Sequence, residues 1–220
     1  MPAHLNRELD RLKKSILSLS ALVEKQVNQA VIVVSQRDAK IAEEVIRIDE
    51  EVDRGEVDIE EDCLKIMALH QPVAIDLRFI VAVLKINNDL ERIGDLAANV
   101  AKRGRKLANM PEIATPFDVT TMGEIAQKML RDSLTSLIES NGELALAVMK
   151  EDDIIDEMNR EAYQRVKGAI TENPGNIDAL IYFLGVARQL ERIADHTTNI
   201  AEDVIYMISG EIVRHPSSDR

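Results

Sequence analysis

The feature that most constrains this chain is an internal duplication. The stretch LERIGDLAANVA begins at Leu90, and LERIADHTTNIA begins at Leu190, one hundred residues later. The similarity extends upstream, where AKIAEEVIRIDEEVD matches GELALAVMKEDDIID at an offset of 103 residues. Similarity of this kind between two parts of one chain indicates that one structural unit has been used twice. We therefore expect two copies of the same fold.

Each copy has the sequence pattern of three helices joined by short turns. Asp38 and Asn141 are favourable N-cap residues, and Gln71-Pro72 and Asn173-Pro174 interrupt the helical pattern. We predict helices over 3–36, 38–70 and 76–108 in the first half and over 119–140, 142–171 and 177–209 in the second. Apolar residues alternate at spacings of four and three along them, as in Phe79, Val83, Ile86, Leu90, Ile93, Ala97 and Val100.

One apolar seam on each of three connected helices is typical of an antiparallel three-helix bundle. We predict an all-α protein of two tandem three-helix bundles related by a pseudo-two-fold axis. The first bundle is assigned to residues 1–110, a linker to 111–118 around Pro111 and Pro116, and the second bundle to 119–212. A loose tail is predicted for residues 213–220. A single elongated helical array is the alternative, and the duplication argues against it.

Composition limits the classes of function. The formal net charge of −12 would repel DNA and RNA phosphates, so cations or basic partner surfaces are better ligands. Cys63 is the only cysteine, which excludes an internal disulfide and favours a reducing compartment. The first residues lack the layout of a signal peptide, and we expect a cytoplasmic protein.

Carboxylates recur at matching positions in the two copies. Glu and Asp lie four residues apart in each LERI motif, and two Asp lie four apart in the preceding helix: Glu91 and Asp95, Glu191 and Asp195, Asp49 and Asp53, Asp152 and Asp156. Like charges at this helical spacing are mildly destabilising. The two helices of each hairpin run antiparallel from a proline turn, so residues at equal distances from the turn lie at the same height. By this count all four acids of a hairpin lie at one level. We expect this cluster on an outer, wetted flank.

Oxygen-rich clusters of this kind suit hard cations such as Mg²⁺, Mn²⁺, Ca²⁺ or iron. Asn99 and Asn199 lie one turn beyond the aspartates and could add a carbonyl oxygen, whereas His196 is expected to be a surface histidine. The simpler interpretation is a solvated helix face in which Arg92 pairs with Asp89 and Asp95, and Arg192 pairs with Asp195. Duplication together with the matching heights favours metal binding. The helices lack E-x-x-H, H-E-x-x-H and phosphate-loop motifs, so an enzyme is not expected.

The segments QPVAIDLRFIVAVLKINNDLERIGDLAANVAKR and ARQLERIADHTTNIAEDVIY closely resemble the PhoU family of accessory regulators of phosphate-specific transport. The resemblance covers nearly the whole chain and implies two three-helix bundles. It also implies multinuclear iron or zinc clusters at the eight carboxylates named above, although manganese or magnesium remains possible. The implied role is negative regulation of phosphate uptake and of phosphate-starvation signalling.

By the same resemblance, the expected partners are the ATPase of the phosphate ABC transporter and the membrane-bound phosphate-sensing histidine kinase. A homodimer is also expected, with contact to the membrane only through these partners. Two alternatives remain open. One is a carboxylate-bridged metalloenzyme, an oxidase or hydrolase, and the other is a helical adaptor that binds no metal.

Overall fold

The structure is a computed structural model that describes residues 2–210, with side chains from residue 4 onward. Six long helices account for most of it, and a short 3₁₀ turn, Pro174–Asn176, precedes the last one. The helices are α1 (Pro2–Gln36), α2 (Ala39–His70), α3 (Ala74–Ala108), α4 (Val119–Glu139), α5 (Gly142–Glu172) and α6 (Ile177–Ser209). The six predicted helices are confirmed, each end within two residues. The tail predicted for 213–220 lies outside the described residues.

Local chemistry at the helix ends explains where the chain turns. The Asp38 side chain accepts hydrogen bonds from the backbone N–H groups of Lys40 and Ile41, and Asn141 accepts one from Leu144. These bonds satisfy donors that the first helical turn leaves without intrahelical partners. Gln71 adopts a left-handed conformation before Pro72 and ends α2. Both predicted N-caps and both predicted proline breaks are therefore confirmed.

Each half of the chain folds as a three-helix bundle, with α1, α2 and α3 in the first and α4, α5 and α6 in the second. The predicted seams face inward: Val83, Ile86, Leu90 and Ile93 are buried in α3, as are Val186, Leu190 and Ile193 in α6. Cys63 is buried in the same core, as expected, and burial raises the pKa of its thiol to about 12. The described part of the chain has no helix long and apolar enough to cross a bilayer.

The two bundles pack side by side and share one hydrophobic core. The central contact is between α3 and α6, and α1 packs against α4 beside it, whereas α2 and α5 lie at opposite outer edges. The two central helices run antiparallel, because Arg78 near the start of α3 donates to the backbone carbonyl of Met207 near the end of α6. Buried side chains from both halves form a single contiguous cluster. The duplicated helices therefore lie at the centre of the molecule, each packed against the other and against the helices of its own bundle.

Polar contacts between the bundles break the symmetry of the repeat. The Lys85 ammonium lies 3.1 Å from the buried carboxylate of Asp203. At the equivalent pair of positions, the Arg103 side chain lies over Gly185, so closely that a Cβ at Gly185 would collide with it. The two ends of the α3–α6 contact are thus held by different chemistry.

Close helix approach at Gly104 gives a first prediction. A Cβ at Gly104 would lie 2.6 Å from Val33 Cγ1 and 3.2 Å from the backbone nitrogen of Val34. Gly104→Ala should therefore destabilise the protein by about 1–3 kcal/mol, measured by urea unfolding, because α1 must move away from α3. Gly168→Ala is the control, since nothing lies within 4 Å of a Cβ there. It should stabilise by about 0.5–1 kcal/mol, as alanine does in an unobstructed helix. A Gly104→Ala protein as stable as the control would contradict the close contact.

Candidate functional site

The first set of predicted ligands lies where α2 faces α3 on the flank of the first bundle. Glu91, Asp49 and Asp95 are half-buried, and Asp53 is exposed. The groups are close enough to repel one another, since Asp95 and Asp53 both raise the pKa of Asp49, after the larger effect of burial. Burial raises the pKa of Glu91 as well, and Asp95 and Asp53 add to that shift against the opposing charge of Arg92. The structure therefore brings these four carboxylates into one electrostatic neighbourhood.

The second set occupies the equivalent flank between α5 and α6. Asp152, Asp156 and Glu191 are half-buried, and Asp195 is exposed. Burial, followed by the charges of Asp195 and Asp156, raises the pKa of Asp152 to about 6. The pKa values of Glu191 and Asp195 are also raised, first by burial and then by neighbouring acids of the set. Both hairpins thus place the four acids as neighbours outside the core, three of them half-buried and one exposed in each set.

The two clusters have different polar surroundings. In the first, Gln26 of α1 donates a 2.9 Å hydrogen bond to Asp49 Oδ1. Arg92 lies 3.3 Å from Glu91 and 3.6 Å from Asp95, which is the ion-pairing that the simpler sequence interpretation expects. Its expected contact with Asp89 is absent, since Asp89 binds other partners described below. The first cluster is therefore partly neutralised by protein side chains.

The second cluster is less well compensated. Asp152 Oδ1 is buried and has no hydrogen-bond partner in the described part of the chain. Glu91 Oε2 of the first cluster also lacks one, but the Arg92 guanidinium lies 3.3 Å from it. Thr198 lies close enough to oppose the rise in the pKa of Asp152 slightly, yet its hydroxyl does not reach hydrogen-bond geometry. Arg192 forms no ion pair with Asp195, contrary to the expectation. The charge of His196 and then the longer-range charge of Arg192 oppose the rise in the pKa of that carboxyl. A buried acceptor without a donor is costly, and a cation would remove that cost.

The donor chemistry of both clusters fits a hard cation. Carboxylate oxygens are the ligands that such ions prefer, and the raised pKa values show that negative charge is destabilised there in the absence of a cation. The side-chain positions do not form a ready-made site, since no group of three or more Asp, Glu, His or Cys within residues 4–210 converges enough to hold a metal ion. The chemical fit is good, and the assignment of these eight residues as ligands stays a prediction.

His196 and Asn199 point to the other bundle. The His196 ring lies 2.8 Å from Asp89 of α3, and its side chain is only 20% exposed, so the expectation of a surface histidine is wrong. Asn199 donates to the same Asp89 oxygen over 3.3 Å. The backbone carbonyl of Asn99, and not its side chain, accepts a hydrogen bond from Arg103. Sequence periodicity missed this Asp89 cluster, because it depends on the sideways packing of α3 and α6. The sequence feature that could have indicated this cluster is the difference between the copies at this position, Asp89 in the first and Gln189 in the second.

The raised pKa of Asp152 gives a second prediction. The folded protein binds this proton up to about pH 6, whereas the unfolded chain releases it near 3.8, so stability falls as pH rises through this window. With chelator present, Asp152→Asn should be more stable than the parent at pH 7 and close to it at about pH 4, below which both states of the parent bind the proton. Because the group is half-buried, we expect about 1 kcal/mol in urea unfolding.

Asp58→Asn is the control, since this exposed acid of α2 lies outside both clusters. Its stability should follow that of the parent at both pH values. A variant at Asp152 that loses stability at pH 7, or that keeps the pH dependence of the parent, would contradict the repulsion described above.

Comparison with known proteins identifies the family. A model of the PhoU domain matches residues 16–104 and again residues 119–204. The PhoU homologue of Aquifex aeolicus, a phosphate-specific transport system accessory protein, is 39% identical over 96% of both chains. The corresponding protein of Pseudomonas putida is 37% identical over 96% of this chain and 82% of its own.

Solved structures agree with this result. The crystal structure of PhoU from Pseudomonas aeruginosa superposes with a TM-score of 0.90 at 37% identity, covering 94% of this chain and 99% of that one. The phosphate transport system regulatory protein PhoU of Streptococcus pneumoniae gives 0.83 at 29% identity, covering 96% of this chain and 100% of that one. These relatives are accessory and regulatory proteins, and the expectation that the chain is not an enzyme is confirmed. The duplicated bundles with their flanking acids belong to a member of the PhoU family.

Proposed function

We propose that this protein restrains phosphate uptake and phosphate-starvation signalling when phosphate is plentiful, as an adaptor that binds metal ions. The observation that carries the proposal is the pair of equivalently placed carboxylate clusters on the α2–α3 and α5–α6 flanks. Mutual repulsion and burial raise pKa values in both of them. Membership of a family whose matched members serve phosphate transport supplies the biological setting.

Each cluster would hold its metal ions through the four carboxylates of one hairpin. In the first bundle these are Asp49, Asp53, Glu91 and Asp95, and in the second they are Asp152, Asp156, Glu191 and Asp195. Iron or zinc is proposed, with manganese and magnesium as alternatives. The exposed acids Asp53 and Asp195 would have to rotate toward their half-buried neighbours, a small cost for side chains that water now surrounds. The ions would cancel repulsion and stiffen the two hairpins.

Partners would bind at the same flanks. An ion held on a flank of this kind would keep coordination positions for a carboxylate or phosphate of another protein. The proposed partners are the ATPase of the phosphate transporter and the phosphate-sensing histidine kinase, so that the protein contacts the membrane only through them. Assembly as a homodimer in the cytoplasm is part of the same proposal.

A metal-free adaptor is the second candidate. The ion pairs that Arg92 makes with Glu91 and Asp95 favour it, because they partly neutralise the first cluster without any cation. In that case the acids would serve as a charged docking surface for a basic partner. A carboxylate-bridged metalloenzyme is not proposed, since the relatives are accessory and regulatory proteins.

A third prediction separates these candidates. Protein purified without chelator should carry iron or zinc by elemental analysis. Asp95→Ala should remove the metal of the first bundle, and Asp195→Ala that of the second, because each removes an oxygen donor from one cluster only. Chelation should lower the melting temperature of the parent, since bound metal stabilises the folded state. Asp58→Ala should behave as the parent. A parent that carries no metal would leave the metal-free adaptor, and cluster variants that keep all of the parent's metal would contradict the assignment of these acids as ligands.

A fourth prediction concerns the partners. Immobilised parent protein should retain the transporter ATPase and the sensor kinase, more strongly at high phosphate than at low phosphate. Asp95→Ala and Asp195→Ala should weaken this retention if a bound ion bridges the two proteins, and Asp58→Ala should not. Equal retention by all four proteins would exclude the acidic clusters as the docking surface.

A further inference from the structure

A groove runs along the outer side of the second bundle between α5 and α6, next to the second acidic cluster. It encloses about 940 Å³ and is open to solvent along its length. Arg160, Tyr163 and Arg165 line it from α5, and Arg188 and Arg192 line it from α6. The corresponding depression of the first bundle encloses only about 220 Å³. The duplication therefore supplies an internal reference for what is particular to this groove.

The two copies differ strongly in charge along these positions. Four arginines balance four carboxylates among the lining residues of the second groove. At the equivalent positions of the first bundle, two arginines face seven carboxylates. Substitutions between the copies account for most of the change: Val57, Glu60, Asp62 and Asn88 stand where the second copy has Arg160, Tyr163, Arg165 and Arg188. The lining of the second groove therefore carries less net negative charge than the equivalent positions of the first bundle.

Two of the four arginines are available to a ligand. Arg160 and Arg165 lie 2.6 and 3.4 Å from Glu157 and Glu161 of their own helix. Arg188 and Arg192 lie one turn apart on α6 and are exposed. Neither makes a hydrogen bond or ion pair with another side chain of residues 4–210, whereas Arg92, the counterpart of Arg192, pairs with two acids. Two unpaired guanidinium groups thus project along one wall of the groove.

The chemistry of the lining identifies the class of ligand. Guanidinium groups bind carboxylates through two parallel hydrogen bonds, and arginine and tyrosine are enriched at the energetic centres of protein interfaces. Tyr163 is 53% exposed, and its ring offers apolar area beside the arginines. The groove is far larger than a single oxyanion, and its length along two helices suits an extended segment. We infer that the α5–α6 groove docks an extended acidic segment of a partner protein.

This inference deepens the proposed adaptor function by giving the chemistry of one partner contact, and it rests on that function. The two bundles then present different surfaces, since only the groove of the second has arginines beside the carboxylates Glu191 and Asp195 that line it. One protein could in this way bind two unlike partners at the same time.

The test uses the full chain and a fluorescein-labelled peptide of about eight glutamates, with fluorescence anisotropy as the readout. The parent should bind the peptide more weakly as salt is raised, because the attraction is screened. Arg188→Asn with Arg192→Gln should weaken binding about tenfold or more, since two charge-assisted contacts are lost. Arg92→Gln, the matched change in the first bundle, should leave the affinity unchanged.

Three results would overturn the inference. The parent does not bind the peptide, or the double variant binds it as tightly as the parent does, or Arg92→Gln loses as much affinity as the double variant. Displacement of the peptide by inorganic phosphate at an equal concentration of negative charge would identify a small-anion site instead. Binding is measured with chelator and with zinc. If the metal proposal alone fails, the binding curves with chelator and with zinc coincide, but the loss of affinity on changing Arg188 and Arg192 remains.

Discussion

The antiparallel packing of α3 against α6 is the contact on which the rest of the structure depends. These two helices carry the duplicated motif, and their seams of Leu90, Ile93, Leu190 and Ile193 lie in a single core. Burying one such side chain contributes about 1.5–3 kcal/mol, so the shared core dominates the stability. Because α2 and α5 can then pack only at the outer edges, the acids facing them must lie on the two opposite flanks of the molecule.

In that arrangement the apolar core stabilises the fold, whereas repulsion among the carboxylates on the flanks destabilises it. The α2–α3 and α5–α6 contacts that bury the seams also press carboxylates together, and partial burial raises the pKa of Asp49 and Asp152. Local conflicts of this kind within an otherwise consistent sequence are typical of functional sites. The structure tolerates them because the repulsion is small beside the total apolar burial. It offers partial relief through Gln26 and Arg92 in the first bundle and leaves Asp152 without a donor in the second.

The sequence predicted what depends on neighbours along the chain. Proline turns and the spacing of apolar residues located all six helices, and counting outward from Pro72 placed Asp49 near Asp95 because a tight turn fixes the register of its hairpin. It failed where the sideways packing of separate hairpins decides. The Gln26 contact with Asp49 and the His196 contact with Asp89 require the relative rotation of helices distant in sequence, which periodicity does not determine.

The unequal ends of the α3–α6 contact have a consequence for the origin of the chain. If both halves were copies of the first, Lys85 would face an arginine at the position of Asp203. The two cations would then repel each other in the contact between α3 and α6. Were both halves copies of the second, the buried Asp203 would face a glycine and lose its cation. Neither half therefore has side chains that would pair favourably with a second copy of itself at these positions. At these positions each repeat is complementary to the other repeat and not to a second copy of itself.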